Sequence, residues 1–102
     1  MPVTLPVLFT RAARSEVTEA QDWYEAQAAG LGVRFRSQLK AAAQRIADNP
    51  RQYAAVHTGD VRRALLHGFP YSLFFLIERD AAVVIACFHA SRDPKQWRQR
   101  RP

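Results

Sequence analysis

The sequence has a single cysteine, Cys87. An internal disulfide is therefore impossible, and a reducing compartment is expected. It has few glycines, four in all, and they do not form a Gly-rich phosphate loop. No serine occupies a nucleophile elbow. His57, His67 and His89 are widely spaced and share no local cysteine or carboxylate pattern. Neither a metal site nor a cofactor is expected from that arrangement. No apolar run approaches the about 20 residues of a membrane helix. Met1 to Thr10 lacks a basic stretch followed by a long apolar one, so no signal peptide is expected and the cytoplasm is the expected location. Acidic side chains are also scarce, 9 against 15 Lys and Arg.

That imbalance gives a formal net charge of +6. A basic balance of this size favours an acidic partner, a nucleic acid or an acidic protein segment before a membrane surface. Hydrophobic residues make up 48% and charged residues 24%, which is globular rather than disordered composition. At 102 residues the chain reads as one domain, 1–102, with 93–102 as a basic C-terminal tail.

Val3 to Phe9 is short and apolar and reads as an edge strand, because Pro6 interrupts it. Thr10 is placed to cap a first helix. Ala13, Val17, Ala20 and Tyr24 recur on one helical face, with Glu16, Glu19 and Asp22 on other faces. Gly30 and Gly32 break the pattern. Phe35, Leu39, Ala42 and Ile46 then repeat it up to Asn49-Pro50, where proline disfavours helix in the preceding residue. The pair reads as a helical hairpin. Arg51 to Asp60 reads as a loop. Val61 to His67, Tyr71 to Glu78 and Ala82 to His89 read as strands, and the last is apolar enough to be covered on both faces. Arg79-Asp80 falls where a tight hairpin turn belongs. The expected fold is α+β, in the order β-α-α-β-β-β, with the hairpin packed on a small, mainly antiparallel sheet.

The chemistry-bearing residues lie mostly in the last third. Arg62 and Arg63 are adjacent on a strand, so they point to opposite faces. The one turned towards the helices needs an acidic partner, such as Glu16 or Glu19, or an open pocket. His89 and Arg92, with Tyr71, either bind phosphate and move protons or simply brace a strand end. Arg92, Lys95, Arg98, Arg100 and Arg101 surround Trp97, a mixture suited to nucleic acids or to a solvated tail with Trp97 packed inward. Trp23 lies beside the helical stripe, either as an anchor for a partner or as part of a wider core. Cys87, flanked by Ala86 and Phe88, reads as a core residue rather than a nucleophile.

The chain carries, in order, Asp22-Trp23-Tyr24-Glu25, Leu31-Gly32 with Phe35, Ile46-Ala47-Asp48-Asn49-Pro50, Val61-Arg62-Arg63, Phe69-Pro70-Tyr71, and His89-Ala90-Ser91-Arg92-Asp93-Pro94 with Trp97. Together these motifs resemble the ParE branch of the ParE/RelE superfamily, the toxic halves of bacterial type II toxin–antitoxin modules, known also as plasmid stabilisation proteins. The resemblance implies growth inhibition by the free toxin and neutralisation by a cognate antitoxin in a heterodimer or heterotetramer. It also implies DNA gyrase as the target and a non-enzymatic, binding mechanism. Trp23, Arg62 and Arg63 would then meet the antitoxin, and Arg92, Lys95, Trp97 and Arg98 the target. RelE-like relatives instead cut messenger RNA on the ribosome, and Arg63, Tyr71, His89 and Arg92 would be the catalytic set here. That branch often places a Tyr or His near its C-terminus, where this chain has Arg98-Gln99-Arg100-Arg101-Pro102. A third alternative is a non-toxic module that only binds antitoxin.

Overall fold

The computed structural model describes residues 4–57, 60–93 and 100. Strand β1 spans Val7–Phe9, helix α1 Arg11–Gln27 and helix α2 Leu31–Asp48; a 3-10 turn, Pro50–Gln52, leads to strands β2 Ala55–His57, β3 Val61–Leu65, β4 Tyr71–Ile77 and β5 Ala82–His89. The sheet order is β1-β5-β4-β3-β2. β1 runs parallel to β5, and the other neighbours are antiparallel. The α+β architecture expected from sequence is therefore present. Its one addition is β2, which lies inside the stretch read as a loop. Ala55-Val56-His57 is too short to show an alternating pattern, and it forms by pairing with β3.

Helix α1 starts where Thr10 Oγ1 accepts the Ala13 N–H at 3.2 Å, the usual geometry of a threonine cap. The junction of the helices depends on two glycines and one carboxylate. Gly30 sits at φ +87°, a left-handed conformation that costs other residues about 1–2 kcal/mol. Gly32 opens α2 so close to α1 that an added Cβ would lie 2.9 Å from the Gln21 carbonyl oxygen. The Glu25 carboxylate accepts the N–H groups of both Gly30 and Gly32 at 2.9 Å. It thereby satisfies N–H groups at the start of α2 that have no partner within the helix.

The larger core lies between the hairpin and one face of the sheet. It joins Ala13, Val17, Ala20 and Tyr24 of α1 to Phe35, Leu39, Ala42 and Ile46 of α2 and to Leu73, Phe75, Val84 and Cys87 of the sheet. Each fully buried large side chain, such as Phe35 or Phe75, contributes about 1.5–3 kcal/mol. A smaller cluster, Val61, Phe74, Ile85, Ala86 and Phe88, forms on the opposite face. β5 is buried throughout except at His89, as its continuous apolar run predicts.

The pairing of β4 with β5 shifts register between Phe74 and Phe75, leaving Ile85 as the extra residue of a bulge. A bulge turns later side chains to the other face. Val84 and Cys87 therefore share the helix-facing core, whereas Ile85, Ala86 and Phe88 share the opposite one. His89, two residues past Cys87, is carried to the helix side.

Candidate functional site

The bulge, the end of β5 and α1 together enclose a cleft of about 240 Å³, lined by Glu16, Glu19, Ala20, Trp23, Tyr71, Cys87, His89 and Arg92. Trp23 is 58% exposed and stands edge-on to Tyr24 at 5.1 Å between ring centroids. It is thus a surface aromatic rather than a core residue. Tyr71 and His89, opposite each other in the β4–β5 ladder, meet edge-to-face at 5.2 Å.

Of the four residues implied for RNA cleavage, the cleft unites Tyr71, His89 and Arg92. Arg63 is exposed and alternates with Ala64, a residue of the helix-facing core. It therefore projects from the opposite face of the sheet. His89 Nδ1 receives the Ser91 backbone N–H at 3.0 Å. A backbone N–H only donates, so Nδ1 carries the lone pair and the imidazole proton sits on Nε2. Burial pushes the Tyr71 hydroxyl above its usual range, with smaller contributions from Tyr24, Cys87 and Glu19 partly offset by Arg92. Burial, reinforced by the Glu16 charge, raises the Cys87 thiol to about 12, which leaves it protonated and unreactive at neutral pH.

Glu16, expected on a face of α1 other than the core stripe, is 9% exposed. Its Oε1 accepts the Cys87 N–H at 3.0 Å. Arg100 grips it with two parallel bonds of 2.9 Å, Nη1 to Oε1 and Nη2 to Oε2, and Arg92 Nη1 reaches Oε2 at 3.3 Å. Both guanidinium groups also lie against the Phe88 ring, at 4.1 Å for Arg92 and 5.2 Å for Arg100. The expected pairing of Glu16 or Glu19 with Arg62 or Arg63 does not form. Arg62 is the arginine on the helix-covered side, and its Nη1 donates to the Tyr53 carbonyl. Its Nε is buried without a hydrogen-bond partner among the described residues. A carbonyl thus takes the place of the acidic partner that its position called for.

A second concavity, of about 600 Å³, lies along β1. Its floor is apolar, with Val7, Phe9, Val17 and Leu39; its charged residues are Arg14, Arg36 and Lys40, with no carboxylate among the described residues that line it. β1 is an outer strand of the sheet. Pro6 O accepts the Ala82 N–H and Thr10 N donates to Val84 O, so the even-numbered backbone groups of β1 face β5. By alternation those of Val7 and Phe9 point outwards, and no described strand pairs with them. The cations of this groove are spread over two helices and no local motif collects them, so the groove is not legible in the sequence.

Lys95, Trp97 and Arg98 lie outside the described residues. Among the described residues there is no group of three or more His, Cys, Asp or Glu able to hold a metal ion. No described helix is long and apolar enough to cross a membrane.

The fold is that of a small basic α+β protein: a helical hairpin on a five-stranded mixed sheet, with a cationic groove beside its outer strand β1. The family model described as ParE toxin of type II toxin-antitoxin system, parDE, matches residues 7–94. The chain belongs to the ParE toxin family. Among solved structures it is similar to one titled as the chromosomal ParDE TA system from P. aeruginosa, with a TM-score of 0.72 at 16% identity, covering 84% of this chain and 96% of that one. At that identity the likeness is one of fold. None of the curated proteins matches the chain at a significant level.

Proposed function

We propose that this toxin arrests growth by binding and stalling DNA gyrase, and that a cognate antitoxin neutralises it by laying an acidic, extended segment into the groove along β1. The observation that carries the antitoxin half is the groove itself. Arg14, Arg36 and Lys40 line it with no carboxylate among the described residues, beside outward-facing backbone groups of β1. An added strand would pair with that edge, and its acidic side chains would meet the cations. Trp23 offers a separate aromatic anchor on α1. Arg63 remains available on the far face, whereas Arg62 is committed to the Tyr53 carbonyl. The complex is a heterodimer or heterotetramer in the cytoplasm. The gyrase half rests on family membership, with Arg92 and the basic tail, including Lys95, Trp97 and Arg98, as the contact region.

A second reading, ribosome-dependent message cleavage, is favoured by the meeting of Tyr71, His89 and Arg92 in one cleft. Against it stand the Nδ1 of His89, occupied by Ser91, and the pairing of Arg92 with Glu16. Induction without antitoxin, followed by supercoiling and message-cleavage assays side by side, separates the readings. Blocked supercoiling with intact message supports gyrase. Message cleaved by the wild type and left intact by His89→Ala supports the nuclease. Normal growth at high expression leaves only an antitoxin-binding module.

A further inference from the structure

The outer edge of β5 is served by two different partners. As far as Val84 it bonds to β1, whose last contribution is Thr10 N to Val84 O at 3.0 Å. There the chain turns into α1, and the bulge brings the Ile85 carbonyl and the Cys87 N–H onto the uncovered part of the edge. Side chains replace the missing strand. Glu16 supplies the acceptor for Cys87 N–H at 3.0 Å, and Arg100 supplies the donor for Ile85 O at 2.9 Å. The same two side chains are joined to each other by the two-bonded fork, and Arg92 closes on the same carboxylate. Glu16 is thus a buried, fixed anion, held by the backbone of β5, on which Arg92 and Arg100 converge.

We infer that Glu16 is a positioning residue for Arg92 and Arg100: it fixes both guanidinium groups in one arrangement against Phe88 and the β5 edge, and this arrangement presents them to the target. The inference rests on the reading that the C-terminal region contacts the target. The chemistry favours a fixed arrangement. A forked guanidinium–carboxylate pair is directional as well as strong, and Glu16 cannot follow the arginines outward without leaving the Cys87 N–H buried and unpaired. Ordering these long side chains before the encounter removes an entropy cost from target binding. None of this involves the groove along β1, so antitoxin binding is separable from it.

The test uses full-length protein and the variants Glu16→Gln, Arg100→Ala and Arg100→Lys, with the double variant Glu16→Gln/Arg100→Ala. Glutamine keeps an acceptor for Cys87 N–H but loses the charge that holds both arginines. Amide exchange at positions 92 and 100 should quicken by roughly tenfold or more in Glu16→Gln and in Arg100→Ala, the scale of one lost charge-assisted hydrogen bond. The double variant should be no faster than the worse single one, because both remove the same link. Arg100→Lys should fall between, since an ammonium keeps the charge without the fork. Growth arrest on induction should weaken in the same order, with antitoxin affinity unchanged. Should Glu16→Gln fail to fold, Arg100→Ala carries the test from the other side of the pair. Wild-type exchange as fast as that of the variants overturns the inference, as does full toxicity in variants whose exchange has quickened. Removal of residues 93–102 separates the two claims. If that truncation remains toxic, the reading of the region as the target contact fails; if it abolishes toxicity while the point variants remain fully toxic, only the positioning role of Glu16 fails.

Discussion

The Glu16 carboxylate accepts the backbone N–H of Cys87 at 3.0 Å across 71 residues of sequence, tying α1 to β5 where β1 no longer covers that strand. A carboxylate so placed is expensive to remove. Glu16→Ala leaves a buried N–H unpaired and takes the counter-charge from Arg100, so chemical denaturation should show a loss of about 2–4 kcal/mol. Glu16→Gln should lose clearly less. Equal losses for both would mean that the acceptor adds nothing beyond the charge.

Cys87 gives the stability a defined alkaline limb. Its folded pKa is raised from 9.0 to about 12, first by burial and then by the Glu16 charge. The folded state therefore holds the proton more tightly than the unfolded one. The stabilisation is fully present below about pH 9 and is lost as pH rises towards about 12. Burial raises the Tyr24 and Tyr71 hydroxyls as well, with the same sign. Unfolding free energy measured across that window should fall more steeply in wild type than in Cys87→Ala. Parallel slopes would show that the thiol does not titrate differently in the two states.

The two glycines of the helical junction should respond differently to alanine. At Gly30 an added Cβ meets nothing within 4 Å, so Gly30→Ala costs only the left-handed conformation, about 1 kcal/mol. At Gly32 the Cβ would meet the Gln21 backbone at 2.9 Å, forcing the helices apart at a cost of about 1–3 kcal/mol. Calorimetry on the pair should therefore rank Gly32→Ala as the more damaging.

Charge reversal in the groove should act on association rather than folding. Arg36→Glu and Lys40→Glu should slow antitoxin binding and flatten its salt dependence, each with less than about 0.5 kcal/mol change in stability. Surface-binding kinetics at two salt concentrations measure this directly. Unchanged on-rates would place the antitoxin elsewhere, with Trp23 or Arg63 as the next positions to substitute.

Much of this architecture was legible in the sequence because it depends on local periodicity. The stripes through Ala13–Tyr24 and Phe35–Ile46, the Thr10 cap and the Arg79-Asp80 turn, closed by Glu78 N to Ala81 O at 2.7 Å, all follow from neighbouring residues. The functional surface was less legible because it depends on register. Nothing local marks Ile85 as a bulge, yet the bulge decides that His89 faces Trp23 and Tyr71. Glu16 lies three residues after Ala13 and four before Ala20, at the flank of the core stripe, and its carboxylate is buried where β1 ends at Phe9 and leaves the Cys87 N–H to it. β2 exists because β3 offers it an edge, and three residues cannot announce that in advance.

The most direct test of the central claim is a supercoiling assay with purified gyrase, wild-type toxin and toxin pre-mixed with its antitoxin. Supercoiling should be blocked by the toxin alone and restored by stoichiometric antitoxin, with ribosome-bound message left uncut. Undiminished supercoiling at toxin concentrations that arrest growth would contradict it.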